Sequence, residues 1–402
     1  MSPESRFQIS VPGEALALLH RKLADARFPD ELSDVGWDYG APLSDVKRLV
    51  NKWKDGYDWR AHERELNKLP MFTRDIDVEG FGVLNIHYVH QRSEVEDAIP
   101  LLFVHGWPGS FIEVTKILPL LTATGTGNPS FHVVAPSLPG YAWSEAVAKR
   151  GFRSKYYAEL FNKLMLSLGY SEYVTQGGDW GHMLTRVLAS QYGPQHVKAS
   201  HTNFPIGAPI SFRRNPIRYV KHLITPYTPR EREGLAHHTA FHTQGNGYFR
   251  VQSTRPQTLG YGLADSPVGM LAWIYEKLVQ WTDSYPWTDE EVLTWISIFW
   301  FSRAGPAASV RIYYEVLRSS DILDWYQSQV PVPVGISFFP KEMCQSPRAF
   351  LRADANVVFE SEHDAGGHFA AYEKPEALAD DLRRMFGKGG PAAGVVPGKD
   401  GF

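Results

Sequence analysis

The run Gly177-Gly178-Asp179-Trp180-Gly181 constrains this chain more than any other segment. It follows Tyr173-Val174-Thr175-Gln176, which reads as a short buried strand. It precedes His182 to Tyr192, where Met183, Leu184, Val187 and Leu188 recur at helical spacing. Strand, sharp turn and helix therefore succeed one another directly. Such a turn needs small residues on its flanks, because side chains there would collide with its own backbone. The residue at the crest is held ready for chemistry, and here it is a carboxylate. A serine would signal acyl transfer through an activated hydroxyl; an aspartate attacks an sp3 carbon and becomes an alkyl ester. A lone Gly-Asp-x-Gly fits equally well an aspartate that caps a helix, so the motif alone leaves both readings open.

Further segments favour chemistry. His105-Gly106-Trp107-Pro108-Gly109-Ser110 follows the apolar run Pro100-Leu101-Leu102-Phe103-Val104, so a strand ends in a Gly/Pro-rich turn. In the α/β-hydrolase plan this loop supplies one backbone N–H to an oxyanion hole and the residue after the nucleophile supplies the other. The expected donors are Trp107 and Trp180, with His105, Gly106 and Pro108 completing the loop motif. Gly366-Gly367-His368-Phe369 places a histidine after a glycine pair and before a helix expected over residues 375–386. The order nucleophile, acid, histidine then calls for an acid between them, after the strand at residues 332–339. Glu342 fits best, with Asp354 and Asp364 as weaker candidates. The fold expected is α/β: an α/β-hydrolase core with a mostly parallel central sheet, an inserted α-helical lid and an N-terminal extension.

Composition excludes more than it selects. A chain of 402 residues accommodates a core domain and a lid. A formal charge of −3 gives no electrostatic case for nucleic acid or anionic lipid. The single cysteine, Cys344, excludes an internal disulfide; two residues from the proposed acid, it reads as a buried packing residue. No metal and no cofactor is expected. No signal peptide is evident at the start, and no apolar run reaches the roughly 20 residues that span a bilayer. A soluble, cytoplasmic protein without an integral membrane anchor is the expectation.

The chain resembles the epoxide hydrolases of the α/β-hydrolase superfamily, in the microsomal and fungal branch with an N-terminal extension. Phe7-Gln8-Ile9-Ser10-Val11-Pro12, Ala26-Arg27-Phe28-Pro29-Asp30, Tyr57-Asp58-Trp59-Arg60 with Glu63, Leu66 and Asn67, and then the elbow and the Gly-Gly-His segment carry the likeness. It covers roughly residues 5–387. The resemblance implies two lid tyrosines: Tyr248, a little before Arg255-Pro256-Gln257-Thr258-Leu259-Gly260, and Tyr313 in the run Arg311-Ile312-Tyr313-Tyr314-Glu315, with Tyr314 as its neighbour. Their unperturbed pKa of about 10 keeps them protonated at neutral pH, able to donate to an opening epoxide oxygen. The implied reaction converts an apolar epoxide and water to a vicinal diol through an ester on Asp179, cleared by water that His368 and Glu342 activate. Homodimerisation is common in this family.

The organisation expected is residues 1–80 as the extension, 81–210 as the first part of the core, 211–325 as the lid, 326–387 as the second part of the core, and 388–402 as a flexible Gly/Pro-rich tail. Within the extension, residues 13–26 form an amphipathic helix with Leu16, Leu18, Leu19 and Leu23 on its stripe, and residues 43–53 a second helix. The lid aromatics Trp273, Tyr275, Trp281, Trp295, Phe299, Trp300 and Phe301 are expected to line a cavity as well as fill a core. Two alternatives remain open: a haloalkane or haloacid dehalogenase on the same fold, which would lack the tyrosine pair, and a ligand-binding member without catalysis.

Overall fold

The computed structural model describes residues 4–125, 127–213, 215–317 and 330–402. Nine strands form one sheet among these residues: β1 (Ser5–Arg6), β2 (Met71–Val78), β3 (Gly82–Gln91), β4 (Ile99–Val104), β5 (Phe131–Pro136), β6 (Tyr173–Gly177), β7 (Val197–Thr202), β8 (Val330–Phe338) and β9 (Ala355–Glu362). Their order is β1-β2-β3-β5-β4-β6-β7-β8-β9. The first three pairings are antiparallel and the remaining five, from β5·β4 to β8·β9, are parallel. Every residue of β4 and β6 is buried, as expected for strands covered on both faces by crossover helices. The chain steps one way from β4 to β5 and the other way from β4 to β6. That reversal opens a crevice at the strands' carboxyl ends, where open α/β sheets bind ligands.

The elbow is as tight as its sequence requires. The helix Trp180–Tyr192 leaves β6 so abruptly that a Cβ on Gly181 would lie 1.9 Å from the Val104 carbonyl oxygen of the neighbouring strand. Asp179 at the crest has φ 50° and ψ −128°, a strained conformation for a residue with a side chain.

Helices between β7 and β8 include Pro229–Ala240, Gly247–Thr254, Pro256–Asp265, Pro267–Gln280 and Asp289–Trp300. A capping box between Thr288 and Glu291 starts the last of these, and its Trp295 indole donates to the Pro108 carbonyl at 2.6 Å. A helix that covers the carboxyl edge is thereby fastened to the loop after β4. The expected boundary between lid and second core segment, at residues 325 and 326, lies outside the described residues.

Several sequence expectations need correction. The first helix ends at Ala24, and its buried side is Leu19 and Leu23 with Leu16 partly covered, whereas Leu18 is 42 % exposed. One residue turns the helix by 100°, which carries Leu18 off the stripe. Trp295 and Phe299 pack against the core, on Phe369, Tyr372 and Tyr141; among the described residues, Phe204, Phe241, Phe249 and Phe350 line the cavity beside Asp179 instead. Residues 388–402, expected to be flexible, fold back on the core. Ala392 and Val396 are buried, and the Gly401 backbone bonds to Asp97 and Ser130 at 2.8 Å each.

Candidate active site

Four loops at the carboxyl edge converge. The elbow after β6 presents Asp179, the loop after β4 presents Trp107, the loop after β8 presents Glu342, and the loop after β9 presents His368. Although Asp179 occupies the N-cap position of its helix, its side chain caps nothing there. Its Oδ1 accepts instead from the Trp107 backbone N–H at 2.8 Å, and the Trp180 backbone N–H also acts on the carboxylate. Both expected oxyanion donors therefore face one carboxylate. A Cβ on Gly106 would fall 2.3 Å from Asp179 Oδ1, so only glycine lets the loop approach this closely.

On its other side Asp179 faces the histidine: His368 Nε2 lies 3.6 Å from Oδ2. His368 Nδ1 lies 3.0 and 3.1 Å from the two oxygens of Glu342, which is fully buried. The other candidate acids are elsewhere. Asp354 accepts from the Ala208 N–H at 2.7 Å, and Asp364 pairs with Arg230 at the surface. A parallel bridge between Lys341 and Gly367 holds the acid and histidine loops together, and the His368 N–H donates to the Trp281 carbonyl at 2.8 Å. His105 and Pro108 act on the loop itself: His105 Nε2 accepts from the Leu138 N–H at 3.1 Å while its Nδ1 meets the Gly106 carbonyl at 2.9 Å.

Above Asp179 opens a cavity of about 550 Å³, lined by Tyr248 and Tyr313 as well as Asp179 and Trp180. Tyr248 stacks on Trp107 at 5.1 Å, Tyr313 stands edge-on to Trp180 at 4.9 Å, and the two phenol rings are 5.9 Å apart. The Tyr313 hydroxyl is buried, with Tyr248 and Trp180 acting on it. Tyr314, by contrast, does not line the cavity.

Electrostatics separate the groups by role. Burial raises both tyrosines well above the usual phenol value, and the Asp179 charge adds to it, so they remain protonated. Burial also raises Asp179, against His368 and the two backbone N–H groups. At His368 burial opposes protonation, but the carboxylates of Glu342, Asp179 and Glu113 outweigh it and bring the imidazole to about 9. Glu113 is a residue that sequence reasoning missed. Burial lifts it to about 8, and with Asp179, His368 and Asn203 it lines a chamber of about 10 Å³, room for about one water.

Comparison with known proteins agrees with this arrangement. Residues 4–114 match the family model described as epoxide hydrolase N terminus, and residues 99–221 match that of the alpha/beta hydrolase fold. The chain is 40 % identical to a putative epoxide hydrolase of Stigmatella aurantiaca over 390 residues, 94 % of this chain and 84 % of the relative. It is 36 % identical to epoxide hydrolase 1 of Sus scrofa, over 95 % of this chain and 88 % of the relative. The solved structure of Aspergillus niger epoxide hydrolase superposes with a TM-score of 0.82 at 33 % identity, covering 95 % of each chain. Among the described residues no helix is long and apolar enough to cross a membrane. An α/β-hydrolase sheet, a carboxylate at its elbow and relatives alike over nearly the whole length lead to one assignment: the chain belongs to the epoxide hydrolases, in the branch that carries an N-terminal extension.

Proposed function

We propose that this enzyme hydrolyses an apolar epoxide in two steps through a covalent ester on Asp179. The single observation that carries the reading is that two backbone N–H groups act on the Asp179 carboxylate, that of Trp107 at Oδ1, while Oδ2 faces His368. In the first step Oδ2 attacks a ring carbon, and the breaking C–O bond leaves negative charge on the epoxide oxygen. Tyr248 and Tyr313 donate to that oxygen, and one of them gives up its proton. The Asp179 strain and the rigid loop contacts keep the carboxylate aimed without reorganisation.

In the second step His368 takes a proton from water, and the hydroxide attacks Cγ of the ester. The chamber beside Glu113 is the position from which that water reaches Cγ. Charge then gathers on Oδ1, which already accepts from the Trp107 N–H, with the Trp180 N–H acting on the same carboxylate; removing one such donor commonly costs about 10²–10³ in rate. Collapse expels the second diol oxygen, which takes the proton of the new Asp179 carboxyl as the carboxylate returns, and the proton held by His368 restores the tyrosinate to a phenol. Glu342 orients the imidazole and stabilises its protonated form. The pair of buried, protonated phenols on the cavity wall favours epoxide opening over a dehalogenase reading, since a halide leaving group needs no proton.

Oxygen bookkeeping tests the scheme. In a single turnover with enzyme in excess and 18O-water, the diol should carry an unlabelled oxygen from Asp179 while the Asp179 peptide gains the label. Direct attack by water would instead put 18O in the first diol and none in the protein.

A further inference from the structure

The mouth of the cavity carries a cluster that epoxide opening does not use. The helix Pro229–Ala240 runs into a π-helical turn, Phe241–Gly245. Across this junction His238 and His242 are four residues apart, the spacing that lets two imidazoles share one metal. Their rings are 4.4 Å apart. Facing them from the loop after β8 is the buried thiol of Cys344. One ligand atom from each of the three lies within 4.8 Å of the others. The His238 Nδ1 is buried without a hydrogen-bond partner among the described residues, which is costly for a polar atom unless something occupies it.

We propose that His238, His242 and Cys344 form a site for a borderline-soft divalent cation, of which Zn²⁺ is the representative, and that its occupancy closes the substrate cavity. Tetrahedral Zn²⁺ takes imidazole nitrogen at about 2.0–2.1 Å and thiolate at about 2.3 Å, so its ligand atoms stand roughly 3.5 Å apart. The cluster, whose ligand atoms lie within 4.8 Å of one another, draws together on binding. Two imidazoles and a thiolate select Zn²⁺ or Co²⁺ over Mg²⁺ or Ca²⁺. The fourth position faces the cavity. Burial, together with the neighbouring His242 for His238 and Arg250 for His242, lowers both histidines, which keeps them neutral. The buried thiol is hard to ionise, but a coordinated cation displaces its proton outright, so each cation bound releases one proton to solvent.

The ion would join the lid to the acid loop. Cys344 and Glu342 are linked directly, since the Cys344 N–H meets Glu342 Oε1 at 3.3 Å, and all three ligands line the wall of the cavity above Asp179. Binding of the cation stands on the cluster alone, whereas inhibition rests on reading this cavity as the epoxide site.

The test is Co²⁺ titration of the metal-free full chain. A single equivalent should bind and give a thiolate-to-cobalt charge-transfer band. Cys344→Ser should abolish the band, and His242→Ala should weaken Zn²⁺ competition for the site at least about tenfold. Absence of a thiolate band in the unmodified protein, or unchanged Zn²⁺ affinity in both variants, overturns the site. Zn²⁺ bound with the band present but without slowing epoxide turnover overturns only cavity closure.

Discussion

At the scale of single residues, the proposed mechanism alternates charge so that one group's reaction readies the next. In the resting enzyme Asp179 and Glu342 both raise His368, which reaches about 9. A protonated imidazole cannot accept a proton from water, but it does favour an ionised Asp179. In the proposed mechanism, esterification removes the Asp179 charge and with it part of that upward shift, so the imidazole becomes a competent base once the ester exists. Hydrolysis of the accumulated ester should therefore rise with pH through a midpoint below the value near 9 at which His368 titrates in the free enzyme. Single-turnover rates set against the His368 NMR titration check this; coincident midpoints would contradict it. Asp179 and His368 were legible because glycines frame both, and Glu342 because it follows a strand in the right order. Glu113 was not, since nothing in Phe111-Ile112-Glu113-Val114 separates a buried carboxyl from a solvated one. Tyr248 and Tyr313 were visible only through family likeness, among 19 tyrosines.

At the scale of elements, the helix Asp289–Trp300 fixes the lid over the loop that carries Trp107. Glu291 anchors it twice, through the capping box with Thr288 and through Lys116, Tyr285 and Tyr372. Burial opposes ionisation of Glu291, but the Lys116 ammonium, the Tyr285 hydroxyl and the Thr288 N–H outweigh it and bring it down to about 2. A carboxyl lowered on folding stabilises above its unfolded value of about 4.5, and that contribution fades as pH falls towards 2. Glu291→Gln should thus lower the unfolding midpoint near neutral pH, with the gap to the parent protein narrowing between pH 4.5 and 2. A gap constant with pH would mean that the ionised network contributes nothing. Strands β4, β6 and β8 could be placed from apolar runs within two residues of their ends. The tail could not, because glycine and proline content reports local stiffness and says nothing of the groove into which Ala392 and Val396 pack.

At the scale of the whole molecule, the N-terminal segment braces both layers. Asn67 bonds to the N–H and carbonyl of Ile9 at 2.7 and 2.9 Å, and the buried Glu63 accepts from the Val11 N–H at 2.7 Å and the Trp59 indole at 3.2 Å. Further on, Tyr57 meets Thr294 at 3.0 Å and Lys52 meets Glu290 at 2.8 Å, so the segment reaches the lid helix that covers the site. Glu63→Ala strands buried donors and should cost about 3 kcal/mol, a fall of roughly 3–4 °C in the unfolding midpoint for a chain of 402 residues. A shift under 2 °C by calorimetry would show the contacts to be dispensable.

The covalent ester is the point on which the proposed mechanism turns, and intact mass spectrometry reads it directly. His368→Gln mixed with an epoxide should gain the mass of one substrate molecule, mapped to the peptide containing Asp179 and absent from Asp179→Asn. A His368→Gln enzyme that turns over without gaining that mass, or that carries it on another residue, would contradict the mechanism.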